Sequence, residues 1–379
     1  MQAVRELRSP TILVWFLVMA LIATAHGQTA PDFTQARAML EFLRSCHANQ
    51  ASIEEMERVL ALPGTGLVVG QQNISRRVTA QQYREVLWAA CAGKIADVKP
   101  AEPGARAEKG VAGLTQDVAP SLVWGRDNIP LLESRIAELL RNQSIGDAIP
   151  LARKYFPEQI PLAPKLYIVM GGRAGAAAIE DQLYFDVLIT AWRASRGTSP
   201  PMTPAEVVEF FAHETHHLGY GQILDHKRAS LTLTPAEAQA WDFLVAVLME
   251  GSATLLINGH EKLDELQKQP DVKRYLAKVP ELLPAMQKVL SGALKGPMPE
   301  EDYAQASSPF FDMGYHTTGA VLLAAIEKKR GLSGVMDMMA DPRRLLTIYN
   351  ECASESTVAF KFDPALAERV AHMGQARTK

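Results

Sequence analysis

The 379-residue sequence predicts a mainly α-helical chain of α+β class with a small antiparallel β element. Three observations carry that reading. Apolar residues recur three and four apart over most of the chain. Two helix-start signatures of the same form stand in its second half, and only two short apolar runs, flanking a Gly- and Ala-rich stretch, read as strands.

Arg5 and Arg8 precede an unbroken apolar run from Ile12 to Ala23, followed by small residues at Ala25 and Gly27. That order predicts a secretory signal peptide over residues 1–27 and an exported protein, periplasmic or secreted. The competing reading, a membrane anchor, falls short of the roughly 20 apolar residues needed to span a bilayer. No other stretch is read as a span, so no stable membrane span is expected after cleavage.

Residues 28–92 read as an N-terminal helical region. Ala38, Leu40, Phe42 and Leu43, then Met56, Val59 and Leu60, keep helical spacing, and Thr79 with Gln82 forms a capping box before a further helix. Residues 93–120, with Pro100, Pro103 and Gly104, read as a linker. Residues 121–379 read as one large domain. Within it Pro130–Leu140 reads as a helix, and Leu166–Met170 and Leu183–Leu188 read as two strands able to form a hairpin.

Lys and Arg total 39 against 42 acidic residues, a net charge of -3, which excludes the basic footprint of a nucleic-acid binder. Cys46, Cys91 and Cys352 are too far apart for a zinc ribbon. In an oxidising compartment Cys46 and Cys91 could close a disulfide; three buried free thiols are the alternative, and the sequence leaves both open.

Thr203, Pro204 and Glu206 supply a capping hydroxyl, an N1 proline and an N3 glutamate. The helix they open is expected to stop near Gly219 and contains His213-Glu214-Thr215-His216-His217, the H-E-x-x-H pattern. His213 and His217 lie one turn apart on one face and can share a zinc ion. Glu214, on the neighbouring edge, can act as general base toward a water on that ion. Phe210, Phe211, Ala212 and Leu218 make the helix apolar almost all round, which argues against a solvated polar stripe.

Thr234, Pro235 and Glu237 repeat the start signature for a helix running to about Asn258. Glu250 within it has Ala246, Val247, Ala253 and Thr254 as neighbours, so its charge is costly unless a cation compensates it. Glu250 is therefore the candidate third ligand, and small residues Gly251, Ser252 and Ala253 let another helix come close. Asp225 and His226 rank second and are expected in a loop. The extended pattern with a third histidine fails at Tyr220 and Ile223. His216 faces away and is expected to make a structural hydrogen bond.

These residues resemble the gluzincin metallopeptidases, whose zincin-like helical core is the fold the resemblance implies. Phe210–Tyr220, Met249–Ala253 and Gly314–Gly319 further resemble a bacterial family of zinc-dependent peptidases of unknown substrate, over roughly residues 166–330. The resemblance implies Zn2+ as cofactor, a peptide or protein substrate, and an oxyanion donor downstream of the third ligand, for which Tyr315 and His316 are candidates. Thermolysin-like members carry an acidic residue four positions after the ligand glutamate to support a histidine ligand. Thr254 stands there instead, and Glu209 is the expected substitute. Two rivals stay open: a zinc hydrolase of non-peptide amides or esters, and an inactive zinc- or peptide-binding module.

Overall fold

The computed structural model describes residues 30–76, 78–94, 111–197, 201–311 and 313–375. The expected signal peptide and residues 95–110 of the expected linker lie outside them.

Helices α1 (Thr34–His47), α2 (Ile53–Leu60), α3 (Pro63–Arg76) and α4 (Ala80–Cys91) open the described chain. The Thr79–Gln82 capping box starts α4 as read from the sequence. Cys46 at the end of α1 and Cys91 at the end of α4 are joined as a disulfide, and Cys352 is free and buried. Helix α5 (Val111–Asp127) begins inside the span read as linker, despite its internal Pro120. Leu114, Val118 and Ala119 are fully buried, so apolar packing outweighs the composition that suggested a linker. Helices α6 (Ile129–Arg141) and α7 (Ala148–Arg153) follow.

Strands β1 (Lys165–Val169), β2 (Ala176–Ile179) and β3 (Gln182–Asp186) form a sheet of order β1-β3-β2. The two runs read from the sequence pair in parallel, Tyr167 opposite Tyr184, not as the expected hairpin. The antiparallel pair is β2 with β3, turning at Glu180, whose φ is 54°. Three consecutive alanines give β2 almost no strand signal, so it was legible only as spacer. The second run also ends early: the Asp186 carboxylate accepts from the Ile189 amide at 2.9 Å, capping α8 (Val187–Ser195).

β1 is not a free edge of the sheet. On its outer side Asp32 donates its amide to Leu166 and accepts from the Ile168 amide, at 2.8 and 2.9 Å. Gln35 of α1 exchanges two bonds with the Met170 backbone, at 2.8 and 2.9 Å, and the Tyr83 hydroxyl of α4 donates to the Gly171 carbonyl at 2.9 Å. The N-terminal helices therefore share one continuous core with the remainder and grip the end of β1.

Helix α9 (Pro204–Ala229) keeps its capping box but runs straight through Gly219 and Gly221. Gly219 is a packing notch: a Cβ there would lie 2.8 Å from the Phe156 ring. Asp225 and His226 are consequently helical and exposed, not loop residues. Helix α10 (Pro235–Ala253) is extended by one π-helical turn over Thr254–Asn258. This stretch is long and apolar enough to cross a membrane, contrary to the sequence reading, but most of it is buried inside the molecule as a core helix. Helices α11 (Leu263–Leu266), α12 (Pro270–Leu276), α13 (Val279–Lys295) and α14 (Glu300–Ser307) lead to α15 (Gly314–Ala340), broken at Gly331 with φ 69°.

Candidate metal centre

α9 presents His213, Glu214 and His217 from the molecule's interior, because Val207, Phe211 and Ala212 anchor the same helix in the core. The His213 and His217 rings stand edge to face, 4.5 Å between centroids. The donor atoms of His213, Glu214 and His217 lie within 4.8 Å of one another.

A crossing of α10 over α15 delivers the other half of the site. Gly251 and Gly319 meet backbone to backbone: a Cβ on Gly319 would fall 2.0 Å from the Val247 carbonyl oxygen and 2.7 Å from the Gly251 Cα. Glu250 sits just before one glycine and His316 one turn before the other, so this contact juxtaposes them. Nε2 of His213, His217 and His316 lie 3.5, 3.3 and 2.9 Å from the same Glu250 oxygen, Oε2.

The donor set fits zinc. Ligands about 2.0–2.2 Å from a tetrahedral ion stand about 3.3–3.6 Å apart, and the separations from Glu250 to His213 and His217 match that spacing. The His316 separation is instead that of a hydrogen bond. Burial opposes the charge on Glu250, but bonds from His213, His217 and His316 overcome it and hold the carboxyl far below its ordinary range. Burial likewise opposes a charged His213, and Glu250, Glu214 and Asn258 together outweigh it, so that imidazole is raised.

His213 Nδ1 bonds the Asn258 side-chain oxygen at 2.7 Å, which leaves Nε2 for the metal position. Asn258 therefore does what the sequence reading gave to Glu209; Glu209 is turned to His260 at 3.2 Å. The π-helical turn after Thr254 swings Asn258 into reach, and an asparagine ending an apolar helix was the only sequence signal for it.

His216 makes no hydrogen bond; both its nitrogens are buried without a partner among the described residues, against Phe156 and Tyr220. Burial first, then the neighbouring His217 and His213, keeps it well below its ordinary pKa. Tyr315 and His316 separate. His316 joins the cluster, whereas the Tyr315 ring packs against Phe243, Phe310 and Phe311 with its hydroxyl on Ser307. Asp225 and His226 belong to none of the donor groups found among the described residues.

No curated protein and no solved structure matches the chain. A family model, DUF5700, described as "Putative zinc dependent peptidase", matches residues 122–357. That span takes in the whole sheet, α9, α10 and α15. With more than half of its length matched, and His213, His217, Glu250 and His316 all inside the match, the chain belongs to this zinc-dependent peptidase family.

Proposed function

We propose that the protein is an exported metallopeptidase of gluzincin type that hydrolyses peptide bonds, with His213, His217 and Glu250 as zinc ligands. The observation that carries the reading is the convergence of imidazole nitrogens on one oxygen of Glu250, a carboxylate on the apolar C-terminal half of a core helix. Bound there, zinc would polarise the scissile carbonyl and lower the pKa of a water toward about 7. Glu214 takes the proton from the attacking water on a carboxylate oxygen and passes it to the departing amine nitrogen. His316, which also lines the adjoining cavity, donates to the oxyanion by exchanging its Nε2 bond to Glu250 for one to the developing charge. Asn258 holds His213 in the tautomer that presents Nε2. An extended substrate can align on β2, the outer strand whose Ala176 reaches the same cavity.

Glu214→Gln is expected to leave zinc bound, by elemental analysis of the purified chain, while digestion of an unfolded protein drops by roughly 100-fold or more. Retained turnover in that variant would remove Glu214 as general base. Parallel assay of small esters and non-peptide amides separates a peptidase from another zinc hydrolase. Export is supported by the Cys46–Cys91 bridge, which an oxidising compartment favours. N-terminal sequencing of the mature chain should begin near Gln28.

One observation favours a second reading, a closed non-catalytic site. His213, Glu250 and His316 themselves form a donor group, and four protein ligands would leave zinc no open position. His316→Ala decides between them: zinc kept with turnover lost supports the oxyanion donor, and zinc lost supports the closed site.

A further inference from the structure

Asn258 reaches His213 because the helix that carries it widens at its end. The Gly259 amide bonds the Thr254 carbonyl, five residues back, at 2.8 Å, and this π-helical closure sets the direction in which Asn258 leaves the helix. Widening a turn leaves backbone groups in need of other partners. The amides that follow bond elsewhere, His260 to the Ile257 carbonyl at 3.3 Å and Glu261 to that of Leu255 at 2.9 Å. Buried Leu256 therefore has no backbone donor for its carbonyl among the described residues. Just beyond, His260 and Glu261 hold φ of 46° and 68°. Two consecutive left-handed residues other than glycine persist only where the surrounding contacts over-determine them.

Tyr155, just past α7 and 101 residues from Leu256 in sequence, supplies such contacts. Its hydroxyl donates to the Leu256 carbonyl at 2.9 Å and to Glu261 Oε1 at 2.7 Å, a three-centre bond that grips the chain on both sides of Asn258. The Tyr155 ring is buried, and Phe156 beside it packs on His216 with 5.0 Å between centroids, so one short segment braces both α9 and the end of α10. Glu209 of α9 adds a further tie to the same loop through His260, at 3.2 Å. We propose that Tyr155 is a positioning residue of the metal centre: its hydroxyl holds the widened turn, the turn aims Asn258, and Asn258, 2.7 Å from Nδ1, keeps His213 Nε2 toward the metal position. The proposal rests on the zinc-site reading above. Without the hydroxyl the Leu256 carbonyl is left buried and unpaired, and the turn relieves that cost by rewinding or shifting, which carries Asn258 away from His213.

The test is a double-variant cycle on the full chain, with zinc affinity read by competition against a chromophoric chelator. Tyr155→Phe keeps the ring and removes only the hydroxyl; it should weaken zinc binding by roughly 3- to 10-fold, less than the loss of Asn258 itself. In an Asn258→Ala background the same change should have no further effect, because the hydroxyl acts through Asn258. A merely structural tyrosine gives losses that multiply in the double variant, and that result, or unchanged affinity in Tyr155→Phe, overturns the proposal. If Tyr155→Phe does not fold, Glu261→Ala removes one of the two acceptors on a partly exposed side chain and goes through the same cycle, with the same outcomes for and against. A wild-type chain that binds no zinc sinks the zinc-site reading instead. Nitrogen NMR of the metal-free chain, recorded where the His213 ring is neutral, then decides: Tyr155→Phe should move that ring from its Nδ1-protonated tautomer toward a mixture, and an unchanged His213 spectrum overturns the proposal.

Discussion

Asn258 fixes His213 by accepting from Nδ1, so the nitrogen proposed to bind zinc is oriented by a neutral amide instead of a carboxylate. Asn258→Ala should weaken zinc binding about 10- to 100-fold, read by competition with a chromophoric chelator, while Asn258→Asp keeps the acceptor and most of the affinity. Unchanged affinity in the alanine variant would mean that His213 is oriented by its packing alone. Asp186 gives a second prediction at this scale. Burial pushes its carboxyl up to about 7, against the amides of Ile189 and Gly172 that bond its two oxygens. The unfolded chain thus loses this proton near pH 4 while the folded chain keeps it to about pH 7, so the contribution of Asp186 falls as pH rises through that window. Denaturant titrations at a series of pH values should show that decline in the wild type and its loss in Asp186→Asn. The variant should also be weaker by about 1–3 kcal/mol, because one amide N–H is left facing another donor.

Among the helices, the decisive contact is the α10–α15 crossing. Gly319→Ala places a methyl carbon against the Val247 carbonyl, which is backbone and cannot rotate aside. A cost of about 1–3 kcal/mol in chemical denaturation is expected, together with reduced zinc stoichiometry, since the helices that carry Glu250 and His316 must move apart. Gly221→Ala in α9 is the control: nothing stands within 4 Å of its Cβ, so stability should rise by about 0.5–1 kcal/mol with the metal site unaffected. The contrast shows why Gly219 misled as a helix terminator. In this helix glycine serves packing, and the ring of Phe156 that fills the notch is 63 residues away in sequence.

Across the whole molecule, the N-terminal helices brace the end of β1 from outside the cavity. Gln35 and Tyr83 hold Met170 and Gly171, where the chain leaves β1, and the Cys46–Cys91 bridge ties the helices that bear them. Closing a loop with a sequence separation of 45 constrains the unfolded chain by about 4 kcal/mol. Replacing both cysteines by serine should therefore lower the unfolding midpoint clearly. Zinc content below that midpoint should persist, because His213, His217 and Glu250 lie on helices that the bridge does not touch.

Local order determined much of this protein. The capping boxes at Thr79, Thr203 and Thr234, the His213–His217 spacing on one helical turn, and the cost of Glu250 on an apolar face are all properties of neighbours in the chain, so the sequence carries them. What it could not carry were relations between distant segments. β2 pairs through its backbone and has only alanines to announce it. Asn258 reaches His213 through a widened turn, His316 meets Glu250 because two glycines let two helices touch, and Tyr315, its neighbour, points away into an aromatic cluster. Each depends on close approach between surfaces far apart in the chain, which residue spacing does not encode and only tertiary packing decides.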